Sequence, residues 1–156
     1  MTQSLHPAAQ KGFSSAAELY QQVRPDYPQD IVNWLQHQLQ LGEKSQVIDL
    51  GSGTGKFLPY LQQITSHITA IEPIAEMLAQ LQQAYPEIQT LQATSEDLPV
   101  AANSMDAVIC AQSFHWFANL ETLQQIHQVL KPSGHLALIW NQRDITVDWV
   151  KALTDL

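Results

Sequence analysis

The stretch "VIDLGSGTGK", Val47 to Lys56, narrows the choice of fold more than any other part of the chain. A short apolar run passes straight into glycines at every second position, Gly51, Gly53 and Gly55. An apolar run of this length, bounded by glycine, reads as a buried strand. A helical pattern, "GKFLPYLQQI", follows at once, with Pro59 tolerated near the first turn. Strand, glycine-rich turn and helix in that order bring backbone N–H groups and a helix N-terminus up to a ligand. Alternate glycines would let that ligand approach the main chain. A tight turn with no ligand is the plainer alternative.

The remaining pattern repeats this unit. Helical spacing covers "SAAELYQQV", where Ser15 and Glu18 have capping-box spacing, and resumes in "QDIVNWLQHQLQL" after the break at "RPDYP". Gly42 is expected to stop that second helix. Further strands are expected at "HITAIEP", "IQTLQAT", "MDAVICAQS" and "HLALIW". The helices "IAEMLAQLQQAY" and "NLETLQQIHQVL" lie between them, the latter with Leu120, Leu123, Ile126 and Leu130 on one face. "KPSG" is read as a turn before the fifth strand, and "VDWVKALTDL" as the start of another helix. Strands alternating with helices predict a doubly wound, Rossmann-like parallel α/β sheet covered on both faces. Such sheets bind ligands beyond the carboxyl ends of their strands. The 156 residues suit a single domain. Residues 1–42 are read as an N-terminal helical lid, and 43–156 as the ligand-binding core.

Composition removes several classes of partner. The net charge is -8 without a Lys/Arg cluster, which argues against nucleic acid and anionic membranes. The single cysteine, Cys110, excludes an intrachain disulfide and a cysteine-based zinc site, and no His/Asp/Glu spacing suggests a metal. Cys110 lies mid-strand and reads as a small buried apolar residue. Neither a signal peptide nor a membrane-length apolar run is visible, so a cytoplasmic location is expected.

The ligand class follows from what surrounds the loop. A dinucleotide fingerprint needs G-x-G-x-x-G, and counting from Gly51 its last position falls on Lys56. Asp49, two residues before the loop, suits a cationic ligand better than a pyrophosphate. "GTGK" is no P-loop, since Phe57 follows the lysine.

With these residues in view, "VIDLGSGTG" resembles the first motif of class I S-adenosylmethionine-dependent methyltransferases. "AIEP", "ATSEDLP", "SMDAVICAQSFHWF" and "LKPSGHLALIW" are similar to that family's later motifs, in the same order over residues 47–140. "YQQVRPDYP" together with "SFHWF" narrows the resemblance to the methyltransferase type 11 group, and within it to trans-aconitate methyltransferase-like proteins. The resemblance implies S-adenosylmethionine as cofactor and a small-molecule acceptor, some acceptors of that branch being carboxylic acids. It implies that Asp49, Gly51, Ser52, Gly53 and Gly55 meet the methionine half of the cofactor. Glu72 and Pro73 would meet the ribose, Thr94, Ser95 and Glu96 the adenine, and Gln112 lies near the cofactor. The family often has Asp where this chain has Thr94, so the adenine contact would pass to a hydroxyl, a backbone group or Glu96.

On the acceptor side, His115 is the candidate general base, with a structural histidine as the alternative. Trp116 and Phe117 either wall the pocket or pack in the core. Tyr20 and Arg24 fall where the family places a lid, and Arg24 could bind an acceptor carboxylate. His6, His37, His67, His127 and His135 show no pairing and read as surface or structural. The family's sheet has seven strands in the order 3-2-1-4-5-7-6, and five can be counted here. The last two strands are therefore expected to be absent, the acceptor half of the site incomplete, and the fifth-strand edge open to a second copy. A non-catalytic cofactor-binding domain and, more remotely, an NAD-dependent oxidoreductase are the competing readings.

Overall fold

A computed structural model describes residues 26–142 and 144–155. Tyr20, Arg24 and the helix expected at "SAAELYQQV" lie outside the described residues.

Five parallel strands form one sheet in the order β3-β2-β1-β4-β5. They are β1 (Val47–Leu50), β2 (Ile68–Ile71), β3 (Gln89–Leu91), β4 (Met105–Ala111) and β5 (Leu130–Ile139). The helices are α1 (Ile31–Gln38), α2 (Leu58–Gln62), α3 (Ala75–Ala84), α4 (Leu120–Val129) and α5 (Asp148–Thr154). The central strands β1 and β2 are buried at every residue, because helices cover both faces. Alternate residues of β1 serve two cores. Val47 packs with Leu35, Leu61 and Leu81 on one face, while Ile48 and Leu50 pack with Ile126 and Val129 of α4 on the other.

Four details differ from the sequence reading. Helix α1 ends before Gly42. Gln40 takes the left-handed conformation (φ 54°), and the Leu41 N–H donates to the Gln36 carbonyl over 3.1 Å. This is a Schellman closure made with glutamine in place of glycine. The inner stripe of α4 is Thr122, Ile126 and Val129, whereas Leu120 and Leu123 are exposed. The helix is turned this way by Thr122, whose hydroxyl meets that of Ser95 at 2.7 Å in the interior. "KPSG" lies within β5 rather than before it. The register against β4 shifts there, from Met105 opposite Leu130 to Ala107 opposite His135. Gly134 sits in that irregularity, where a Cβ would come within 3.1 Å of the Lys131 and Met105 carbonyl oxygens. Finally, β3 is shorter than expected, and among the described residues it pairs with β2 alone.

Candidate active site

The carboxyl ends of β1, β2, β3 and β4 bring together the glycine loop, Glu72, residues 94–96 and Gln112. The loop leaves β1 with the amides of Gly51 and Ser52 both donating to the Ile71 carbonyl, over 2.8 and 3.1 Å. Gly51, Gly53 and Gly55 all have positive φ (70°, 58° and 94°), which explains glycine at each. At two of them the close neighbour is the protein itself. A Cβ on Gly51 would lie 2.7 Å from Ser113 Cβ and 3.0 Å from the Phe117 ring. One on Gly55 would lie 2.9 Å from the Tyr85 ring. At Gly51 and Gly55 the protein's own side chains thus exclude a Cβ, whatever ligand the loop takes.

Glu72 is 4 % exposed and braces the loop from β2. Its Oε2 accepts the Gly53 N–H at 2.9 Å and its Oε1 the Ile74 N–H at 3.1 Å. Each oxygen keeps a further lone pair for a ligand hydroxyl. Burial raises the Glu72 carboxyl to about 7 despite the two amides that favour the anion. Asp49, 1 % exposed, is also raised to about 7, first by burial and then by the charge of Glu72. Asp49 Oδ2 and Thr54 Oγ1 are buried without a hydrogen-bond partner among the described residues. Buried polar atoms are seldom left so. An acceptor oxygen and a hydroxyl beside a loop of left-handed glycines fit a ligand carrying an ammonium group. Thr54 was not singled out in the sequence, although a small polar residue between two glycines was the available signal.

The other expected contacts are more mixed. Ser52 turns its hydroxyl to the Ile71 carbonyl at 3.4 Å. The Pro73 carbonyl accepts from Gln92 at 3.3 Å. Thr94 is half-buried. Ser95 is spent on Thr122, and Glu96 Oε1 accepts from Asn119 Nδ2 at 2.7 Å, while Asn119 caps α4 through the Thr122 amide. The segment after β3 is thus fastened to α4 through Ser95 and Glu96. Gln112, in the left-handed region (φ 53°), donates from Nε2 to the Tyr27 hydroxyl at 3.1 Å. Tyr27 is in turn clasped by Tyr60, which donates to its carbonyl and accepts from its amide. Tyr27 is thereby tied to both α2 and the end of β4.

His115 lies in a short 3-10 turn, Phe114–Trp116, just beyond β4. It is exposed, and its Nδ1 accepts from Trp140 Nε1 at 3.2 Å. Its ring centroid is 4.7 Å from that of Trp116. Phe117 is buried in the core, edge-on to Phe114, which resolves one of the two aromatics to packing. Cys110 is buried, and burial pushes its thiol far above the usual range, in keeping with an inert core residue. Among the described residues no group of three His, Cys, Asp or Glu side chains could hold a metal, and no helix is long and apolar enough to cross a membrane.

Residues 48–138 match the family model described as a methyltransferase domain, of the type 11 group. The chain is 39% identical over 149 residues to an uncharacterised methyltransferase-like protein of Schizosaccharomyces pombe, covering 94% of this chain and 57% of that one. It is 31% identical over 93 residues to the malonyl-[acyl-carrier protein] O-methyltransferase of Pectobacterium atrosepticum, covering 59% of this chain and 37% of that protein. A solved SAM-dependent methyltransferase from Aquifex aeolicus superposes with a TM-score of 0.67 at 24% identity, over 84% of this chain and 76% of that one, a likeness of fold. The chain belongs to the class I S-adenosylmethionine-dependent methyltransferases, in the type 11 methyltransferase-domain family. Its cofactor is accordingly S-adenosylmethionine. It spans a little over half the length of the Schizosaccharomyces relative.

Proposed function

We propose that this chain carries the cofactor half of an enzyme that methylates a small acceptor of the carboxylic-acid kind, as in trans-aconitate methyltransferase-like proteins. The observation that carries the cofactor half is the unpartnered, buried Asp49 Oδ2 beside the glycine loop. An ammonium group there would satisfy that oxygen and draw Asp49 to its ionised form. Glu72, fixed by two backbone amides, is aimed by those amides rather than by the ligand, so a ribose diol would meet a carboxylate already in place. Thr54 offers a hydroxyl to the same buried space.

When bound, S-adenosylmethionine supplies a methyl carbon activated by its sulfonium. The chain's own task is to bind, orient and keep water away. Glu72 and Asp49 set the cofactor's position from β2 and β1. Gln112 and Tyr27, hydrogen-bonded to each other, link the end of β4 to α2. A carboxylate acceptor needs no general base, because it reaches the site already ionised. The carboxylate acceptor is also in keeping with the malonyl-[acyl-carrier protein] O-methyltransferase among the relatives.

A second reading is a cofactor-binding domain without turnover of its own. It is favoured by the exposed apolar residues Leu138, Trp140, Trp149 and Leu153. Parallel calorimetric titrations with S-adenosylmethionine, S-adenosylhomocysteine and NAD test the shared part of both readings. Binding of the first two without the third is expected. Binding of NAD alone would overturn the assignment. Methyl transfer from labelled cofactor to a panel of small carboxylic acids separates the two readings.

A further inference from the structure

Asn119 has an orientation that chemistry fixes. Its Oδ1 accepts the Thr122 N–H at 2.8 Å and so caps α4. A backbone N–H can only donate, so the other end of the carboxamide is the nitrogen, Nδ2. That nitrogen lies 2.7 Å from Glu96 Oε1, which accepts from it. One carboxylate oxygen of Glu96 is thus held, and the direction of the other follows from it. Oε2 makes no hydrogen bond among the described residues.

Two contacts place this pair at the cofactor's cradle. A Cβ on Gly51 would lie 3.0 Å from the Phe117 ring, and the Phe117 carbonyl accepts the Asn119 N–H at 2.9 Å. At the start of the same segment the Ser113 hydroxyl donates to the Leu50 carbonyl at 2.8 Å. The chain from Ser113 to Asn119 therefore bridges the exit of β1 and the segment after β3. Strand β2, which carries Glu72 at its exit, lies between those two strands.

We propose that Glu96 Oε2 receives the amino group of the cofactor's adenine, and that Asn119 is the positioning residue that aims it. The inference rests on the methyltransferase reading above, which supplies the ligand. It decides among the hydroxyl, backbone and carboxylate contacts that the sequence left open for the adenine. The Thr94 hydroxyl is a rotor without a fixed direction, whereas Glu96 meets an incoming N–H with an acceptor already in place. Oε2 suits a ligand atom that donates. A ring with a carbonyl oxygen at that position would set oxygen against oxygen.

S-inosylhomocysteine has such a carbonyl in place of the amino group and is the probe. Calorimetric titration of the parent chain should find S-adenosylhomocysteine bound at least about tenfold more tightly, the worth of one hydrogen bond to a charged group. In Glu96→Gln, Asn119 engages the side-chain oxygen and leaves an NH2 group in place of Oε2, so the preference should vanish or reverse. Asn119→Asp keeps an oxygen for the Thr122 amide, but it loses the donor to Glu96 and sets a like charge against it. Its melting temperature should stay near the parent's while the preference falls. The Ser95 hydroxyl on Thr122, and the Leu98 N–H on Gln125 Oε1 at 2.9 Å, still fasten the segment to α4 in that variant. A helix cap with no further role would leave the ratio of the two affinities unmoved. A parent chain that binds both compounds equally overturns the proposal and leaves the cofactor reading standing. So does a preference kept in Glu96→Gln or in Asn119→Asp, or one lost in Thr94→Val instead. A parent chain that binds neither compound sinks the cofactor reading, and the proposal with it.

Discussion

The Gly53 N–H donates to Glu72 Oε2 over 2.9 Å, so the residue expected to hold the ribose is also a brace of the loop expected to meet the methionine end. With Ile74 on the other oxygen, the carboxylate ties β2's exit to β1's exit.

Removal and replacement of Glu72 should therefore differ. Glu72→Ala strands two buried amides, at about 1–3 kcal/mol each, and should lower the melting temperature clearly. Glu72→Gln retains one acceptor oxygen and should stay folded. It loses the charge, so binding of S-adenosylhomocysteine should weaken by roughly tenfold or more, the worth of one charge-assisted bond of about 1.5–3 kcal/mol. Thermal melts and calorimetry on both variants check this. Unchanged affinity in Glu72→Gln would remove Glu72 from the cofactor site and leave it as a brace.

Asp49 and Glu72 also predict how pH acts. Their folded-state values of about 7 stand above the ordinary 3.8 and 4.5. The native chain thus holds more protons than the unfolded chain between those limits. The stability these groups contribute is complete below about 4 and is lost as pH rises through about 7. The ligand-free chain should accordingly melt at lower temperature at pH 8 than at pH 5 as far as this pair decides it, and Asp49→Asn should flatten that slope. Cofactor affinity should run the other way, rising with pH as the pair ionises to meet a cation. Melting curves and titrations across this range test both signs.

Much of this site could be read from sequence because its parts are local. The order of strands and helices, the loop after β1 and Glu72 after β2 follow from short patterns that need no knowledge of the rest. What was misread depends on distant partners. Leu120 and Leu123 have impeccable helical spacing, yet α4 buries Thr122, because Ser95 lies opposite it. Nor does the sequence show that Ser95 and Glu96, expected beside the adenine, also hydrogen-bond to Thr122 and Asn119. Nothing in "SFHWF" shows that Trp140, just after β5, donates to His115.

Gly51 and Gly42 make a matched pair of tests. At Gly51 a methyl would meet Ser113 Cβ at 2.7 Å, on a backbone at φ +70°. The left-handed conformation alone costs about 1–2 kcal/mol with a side chain, and the overpacking adds about 1–3 kcal/mol. At Gly42 nothing lies within 4 Å of the added atom. Denaturant unfolding should find Gly51→Ala strongly destabilised and Gly42→Ala close to the parent. Equal midpoints would show that the loop relaxes away from Ser113.

The open edge of β5 gives the last prediction. Among the described residues β5 pairs with β4 alone, so its other side presents main-chain N–H and C=O groups. Leu138 on this strand and Trp140 just after it are exposed, at 38% and 44%. Helix α5 buries no residue and shows Trp149 and Leu153 to solvent. An edge that is both apolar and unpaired is a template for another strand. We propose that a second copy of the chain covers it. Sedimentation velocity over a rising concentration series should show a monomer giving way to a larger species. Leu138→Lys places a charge on that strand, the device by which natural sheets blunt their edges, and should return the chain to monomer without lowering its melting temperature. The same variant should bind S-adenosylhomocysteine as the parent does, since Leu138 precedes the carboxyl end of the strand. A parent chain that stays monomeric at every concentration would show that this edge needs no partner.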